Sequence, residues 1–222
     1  GILLIVLGAS MLAPYSLQLI FKEESHSFIS ASIVTSFIGS LFVLGNLEKE
    51  FRLNLRQTFL FSSLAWFMVA VFGSLPFLLS TQEFSFSEAF FESMSGITTT
   101  GATIISDLDN APKSILLWRA IMQWLGGIGI VVMAITILPL LQVGGMQLFK
   151  MEGPDSTEKI LPRTIEVAVT IISVYIILTF LCGFFYWMFG MTLFDSISHS
   201  MTTIATGGFS THNDSIGFFK NP

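Results

Sequence analysis

A chain of 222 residues in which 52% are hydrophobic and only 11% charged, with a mean hydropathy of +0.76, departs from soluble domains, where roughly a quarter of residues are charged. These values place it in a membrane. The net charge of -5, with no basic stripe, leaves no footprint for nucleic acid, and a lone Cys182 inside an apolar run excludes a disulfide framework or a cysteine-based metal site.

In chain order, Ile2 to Phe21 is an apolar run of about the ~20 residues that a spanning helix needs. It lacks the basic n-region and small-x-small cleavage site of a signal peptide, and more spans follow. The Ala13-Pro14 pair predicts a kink in it. A polar break, Lys22-Glu23-Glu24-Ser25-His26, leads to a second span over about Phe28 to Leu47. The charged connector Glu48-Lys49-Glu50-Phe51-Arg52 closes with Arg56, and the third span covers about Thr58 to Leu79, stopping near Pro76. Ser80 to Pro112 hold no Lys or Arg but carry Glu83, Glu88, Glu92, Asp107 and Asp109. Within them, Phe86 to Ile97 is a segment of about 12 residues, too short to span and of re-entrant length. The fourth span, about Ile115 to Leu141, contains Gly126, Gly127 and Gly129, small residues that let helices approach closely. A connector from Gly144 to Arg163 carries Lys150 and Lys159, the fifth span covers about Thr164 to Met188, and Thr192 to Ile204 is a second short re-entrant segment.

Lys49, Arg52 and Arg56 in one connector, and Lys150, Lys159 and Arg163 in the other, mark both as cytoplasmic by the positive-inside tendency. The N-terminus is then cytoplasmic, and the Lys-free and Arg-free connector lies outside.

Each short segment runs into a Thr/Gly strip: Thr98-Thr99-Thr100-Gly101-Ala102 after the first, and Ile204-Ala205-Thr206-Gly207-Gly208 in the second. Such strips are poor helix, but glycine lets an extended backbone turn its carbonyls towards an axis. Irregular backbone at membrane depth is tolerated only where protein buries it or it lines a water-filled path. A ring of carbonyls there can replace the hydration shell of a cation. The short helix before each strip aims a C-terminal end of about half a negative charge at the same place. Backbone oxygens of Thr99, Thr100, Gly101, Ala205, Thr206 and Gly207 are therefore the candidate ion ligands, with Thr hydroxyls as supplements. Glu88, Glu92, Asp107 and Asp109 are candidates to concentrate cations at the mouth, or are scattered solvated carboxylates.

The two stretches form an internal repeat. Aligning Gly101 with Gly207 places Thr100 on Thr206, Ala102 on Gly208 and Ser93-Met94 on His199-Ser200. The repeating unit is span, short helix, strip, span. This divides the chain into a helix pair (1–47), a first pore unit (48–145) and a second (146–222) that ends at Pro222, where a further span is expected, so that the chain reads as a piece of a longer protein. The fold class is an all-α membrane protein with re-entrant pore loops, potassium-channel-like in its repeat.

Glu92-Ser93-Met94-Ser95-Gly96-Ile97-Thr98-Thr99-Thr100-Gly101-Ala102-Thr103 resembles the first pore loop of the Trk/Ktr/HKT superfamily of potassium transport proteins. Gln123-Trp124-Leu125-Gly126-Gly127-Ile128-Gly129-Ile130 is similar to the helix after it, and Ile137-Leu138-Pro139-Leu140-Leu141, Gly144-Gly145, Pro162-Arg163 and Ala205-Thr206-Gly207-Gly208-Phe209-Ser210-Thr211 fit as well. The initial helix pair makes the chain most similar to the Trk-type membrane subunit. The resemblance implies a pore built from four such units, with a decisive glycine in each strip, matched here by Gly101 and Gly207. Glycine there favours potassium; its loss in one unit accompanies sodium permeation in a plant branch. It further implies a homodimer in the plasma membrane and a cytosolic nucleotide-binding regulatory subunit (TrkA-like).

Other residues read more plainly. His199 is a hydrogen-bonded structural residue or, less simply, an ion or proton site; His26 and His212 are loop residues. Arg119 snorkels or pairs with an outer carboxylate. Glu152-Gly153-Pro154-Asp155 is a solvated turn or a contact for the regulatory subunit, and the fourth-span glycines are packing contacts. An enzyme would need a nucleophile and base or paired ligands, and there is no His-Glu-x-x-His, no paired membrane carboxylate and no partnered Cys. The expected activity is potassium passage without any cofactor, as channel or symporter. The alternatives are a non-transporting assembly subunit and a sodium-permeable relative.

Overall fold

The computed structural model describes residues 1–23, 25–46, 55–141 and 156–219, with side chains in all of these but 55, 134–141 and 156–165. Lys49, Arg52, Gly144-Gly145, Lys150 and the stretch from Glu152 to Asp155 lie outside the described residues, as do the side chains of Lys159 and Arg163.

The regular elements among the described residues are all helices, with no strand among them. The first span is α1 (Ile2–Ser10) and α2 (Leu12–Phe21), which meet at Met11. Pro14 cannot donate to the carbonyl one turn back, so the break falls a turn ahead of it. The second span is α3 (Ser27–Leu44). It packs closely on α1 through small residues: Ser32 Oγ donates to the Gly8 carbonyl at 2.7 Å, and a side chain on Gly39 would press on Ile5. In the third span α4 (Leu55–Gly73) is followed by the short α5 (Leu75–Leu78), which carries Pro76 at its start.

The re-entrant segments are α6 (Phe86–Ile97) and α9 (Leu193–Ile204). Both begin on a side-chain cap. Ser85 Oγ accepts from the Glu88 amide while the Glu88 carboxylate accepts from the Ser85 amide, a reciprocal box. At α9, Thr192 Oγ1 accepts from the Asp195 amide and donates to its carboxylate at 2.6 Å. Thr192→Ala removes that cap and is expected to cost about 1 kcal/mol. Thermal unfolding of the full-length protein in detergent should show a lower Tm, and an unchanged Tm would deny the cap a stabilising role.

The remaining spans are α7 (Lys113–Leu141) and α8 (Ser156–Met188). In α7 every residue from Ser114 to Gln123 is buried, whereas in the stretch Glu166–Met188 of α8 Thr179 alone is. So α7 is the central post, and the core sits around its N-terminal half: Ile115, Trp118, Ile121 and Met122 pack with Phe28, Phe77, Ala89 and Ile97. Trp118 Nε1 donates to the Gly73 carbonyl at 3.0 Å, and Ser93 Oγ donates to the Ala70 carbonyl at 2.7 Å, fixing α6 and α7 to the end of α4. The N-terminal pair is tied on by Glu23, whose carboxylate accepts from the Ser114 amide at 3.2 Å and from the Ser114 hydroxyl. An anion suits that place, where the first amides of α7 lack partners within the helix.

Candidate ion-coordinating site

Both strips begin as helix ends that refuse to continue. In the first, the amides of Thr98, Thr99 and Thr100 donate back to the carbonyls of Met94, Gly96 and Ser95 at 3.0, 2.9 and 2.9 Å. In the second, the amides of Ala205, Thr206 and Gly207 donate to Met201, Thr203 and Thr202 at 3.1, 3.0 and 2.9 Å. The strip amides are thus spent on the helix ends. Among the described residues, no hydrogen bond reaches the backbone carbonyls of Thr98 to Gly101 or of Ala205 to Gly208. Backbone carbonyls are ordinarily paired, and these have no partner among the described residues.

Positive φ recurs in the same pattern in each strip: Thr99 at 56° and Gly101 at 80°, Thr206 at 54° and Gly208 at 86°. A residue in this region, set between residues of negative φ, reverses the sense of its peptide planes and breaks the helical direction of the carbonyls. For a threonine it costs roughly 1–2 kcal/mol, and it persists because the surrounding hydrogen bonds leave no alternative.

This pattern corrects the repeat register. The caps Ser85 and Thr192, the helix ends Ile97 and Ile204, the positive-φ threonines 99 and 206 and the positive-φ glycines 101 and 208 correspond. Gly101 therefore matches Gly208, and Thr100 matches Gly207. Pairing Gly101 with Gly207 fails because it would set Thr206, with positive φ, against Thr100, which has none.

The strips are neighbours. A methyl group on Gly101 would overlap the Gly207 carbonyl oxygen, and one on Gly207 would overlap the Gln123 side chain, whereas nothing lies within 4 Å of one on Gly208. Ala102 and Ile204 flank the strips, with the Ala102 carbonyl taking a hydrogen bond from Ser95 Oγ at 2.6 Å. The Thr98 and Thr100 hydroxyls are 2.8 Å apart, and Thr98 also donates to Met94. A cavity of about 290 Å³ opens beside the second strip, lined by Thr202, Thr206, Gly207, Gly208 and His199 among others.

One face of α7 carries both strips. Gln123, fully buried, accepts at Oε1 from the Phe209 amide at 3.1 Å. Gly126 lies against the Ile97 carbonyl, and a Cβ on Gly127 would stand 3.2 Å from Ala205 Cα. Gly126 and Gly127 are thus packing contacts for the two helix ends, while Gly129 packs against the Trp66 ring. Arg119 and Glu92, both buried, form an ion pair with 2.6 Å between Arg119 Nε and Glu92 Oε1. Glu92 also accepts from the Thr103 hydroxyl at 2.8 Å and the Ile104 amide at 3.1 Å. That overturns the expectation of Glu92 as a mouth carboxylate: it is desolvated and its acceptors are committed, so it has no face for passing cations. Arg119 does not snorkel; it is held inside by its pairing.

Glu88 lies exposed at the helix start, its carboxyl held below the ordinary value by hydrogen bonds from the Ser85 side chain and backbone. Asp109 is engaged by His212 Nδ1 at 2.7 Å, so His212 links the outer connector to the chain after the second strip. Burial alone would raise the Asp195 carboxyl, but hydrogen bonds from Thr192 and Thr211 and the nearby imidazoles of His212 and His199 outweigh it and hold it low. His199 is structural, with Nε2 3.0 Å from Ser210 Oγ and Nδ1 2.9 Å from the Asp195 carbonyl; burial pushes its pKa below the ordinary value.

A family model for TrkH, described as a cation transport protein, matches residues 24–222. The Trk system potassium uptake protein TrkH of Vibrio parahaemolyticus is 44% identical over the whole chain. TrkH of Escherichia coli K12 is 42% identical over the whole chain, and TrkG of the same strain 36%. The crystal structure of the potassium transporter TrkH from Vibrio parahaemolyticus superposes with a TM-score of 0.87 at 41% identity, covering 100% of this chain and 45% of that one. The chain spans about half the length of the curated relatives it matches, 46% and 47% for the two TrkH proteins. It is a multi-pass membrane chain belonging to the TrkH family of cation transport proteins.

Proposed function

We propose that the protein containing this chain is the membrane subunit of a potassium uptake system, passing the ion through backbone carbonyls of repeated pore loops. The observation that carries this reading is the division of labour in the two strips: amides tied back to the helix ends, carbonyls from Thr98 to Gly101 and from Ala205 to Gly208 left without a protein partner among the described residues. Oxygen atoms of this kind suit a hard cation without a cofactor. Residues 1–47 serve as an accessory helix pair, 48–145 as one pore unit and 146–222 as the start of the next. Potassium is the favoured ion over sodium because glycine stands at the second positive-φ site of each strip, 101 and 208. The relatives' names, which speak of potassium uptake, support the same choice. The proposed setting is a bacterial inner membrane, with the N-terminus cytoplasmic by the positive-inside reading of the basic connectors. A homodimer and a TrkA-like regulatory subunit on the cytoplasmic face complete the proposal, and no chemical reaction is assigned.

The full-length protein should restore growth at low potassium to a bacterial strain lacking its own uptake systems, and should bring rubidium into its cells. Sodium uptake in place of rubidium would favour the sodium-permeable alternative. Normal membrane insertion without movement of either ion would leave the assembly-subunit reading.

A further inference from the structure

We infer that Arg119 is a positioning residue that locks the two filter strips in a fixed mutual arrangement; this inference rests on the filter reading above. The guanidinium uses three of its faces. Nε donates to Glu92 Oε1 at 2.6 Å, Nη1 donates to the Ser210 carbonyl at 3.0 Å, and the guanidinium carbon lies over the Phe209 ring, 4.1 Å from its centre. Glu92 sits on α6 ahead of the first strip, and its carboxylate holds Thr103 and Ile104 just beyond that strip. The first strip is therefore strung between the end of α6 and a carboxylate that α6 itself carries. Phe209 and Ser210 are the residues that leave the second strip. One side chain of α7 thus joins the frame of one strip to the exit of the other, across a gap where the Gly207 carbonyl already touches Gly101.

The chemistry calls for arginine. A lysine retains the charge but offers a single nitrogen, with no planar fork to hold a carboxylate and a carbonyl at once and no flat face for Phe209. An ion filter discriminates by the placing of oxygen atoms, and a small misplacement in such a site has a large effect on rate. Pairing also explains why two charges can lie here with side-chain exposures of 1% and 0%, since a buried charge persists only when matched.

The test uses the full-length protein in proteoliposomes, reading rubidium flux under sodium competition together with the amount of protein and its Tm. Arg119→Lys should accumulate and melt near the wild type while discrimination against sodium falls about tenfold. The double variant Glu92→Gln with Arg119→Gln leaves no charge buried and should lose discrimination at least as far. Glu92→Gln alone leaves the Arg119 charge buried without its counter-ion and should melt lower than the double variant. Unchanged discrimination in a well-folded Arg119→Lys or double variant would overturn the inference and leave the pair a plain structural one. Failure of both to accumulate would overturn it too, because the pair would then be a requirement for folding. Absence of rubidium flux from the wild type would instead sink the proposed function, which separates the two failures.

Discussion

Gly101→Ser in the full-length protein is expected to lower the preference for potassium over sodium by about tenfold or more. Two independent costs act there. The backbone has φ at 80°, a region that a side chain disfavours by roughly 1 kcal/mol, and the new Cβ would overlap the carbonyl oxygen of Gly207 in the neighbouring strip. Backbone cannot swing aside as a flexible side chain can, so one strip or the other must move. Its oxygens then no longer sit where a dehydrated potassium ion needs them. Gly208→Ser, with φ at 86° and no atom within 4 Å of its Cβ, carries only the conformational cost and should relax selectivity less. Rubidium uptake under rising sodium measures both. Equal, negligible effects would remove the special standing of positive φ at these glycines and with it the corrected register.

Gly126→Ala is expected to cost about 1–3 kcal/mol of stability, the usual penalty for overpacking, and to cut transport about tenfold. Here the added methyl meets the carbonyl oxygen of Ile97, with the Ile97 Cα only 3.2 Å away. That carbonyl ends α6, so α7 can make room only by pushing the helix end that aims the first strip. Gly129→Ala is the control: its methyl would stand 3.2 Å from the edge of the Trp66 ring, a side chain that can yield. Thermal unfolding and rubidium uptake should separate the two variants, and similar behaviour in both would show that contact with Ile97 is unimportant.

Much of the architecture was readable without coordinates because its signals are local. An apolar stretch too short to cross a bilayer gave α6 the same bounds, Phe86–Ile97, in pattern and in structure, and the break near Pro14 followed from its missing amide. The repeat register was misread because the pair Gly207-Gly208 offers two alignments differing by one residue. The caps would have resolved it, since Ser85 stands three residues before Glu88 as Thr192 stands three before Asp195. Burial of Glu92 had no comparable signal. Composition does not tell a solvated carboxylate from a paired one, and its partner Arg119 is 27 residues away. The same holds for Gln123, within a recognisable motif but bonded to Phe209, 86 residues on: long-range contacts of this sort exist only once the helices have packed.

The most direct test is to locate the ion. Crystals of the full-length protein grown in rubidium should show anomalous density in contact with the carbonyl oxygens of Thr99, Thr100 and Gly101 and with those of Thr206, Gly207 and Gly208. Density that avoids these oxygens, or rubidium held only by side-chain carboxylates at the mouth, would contradict the account.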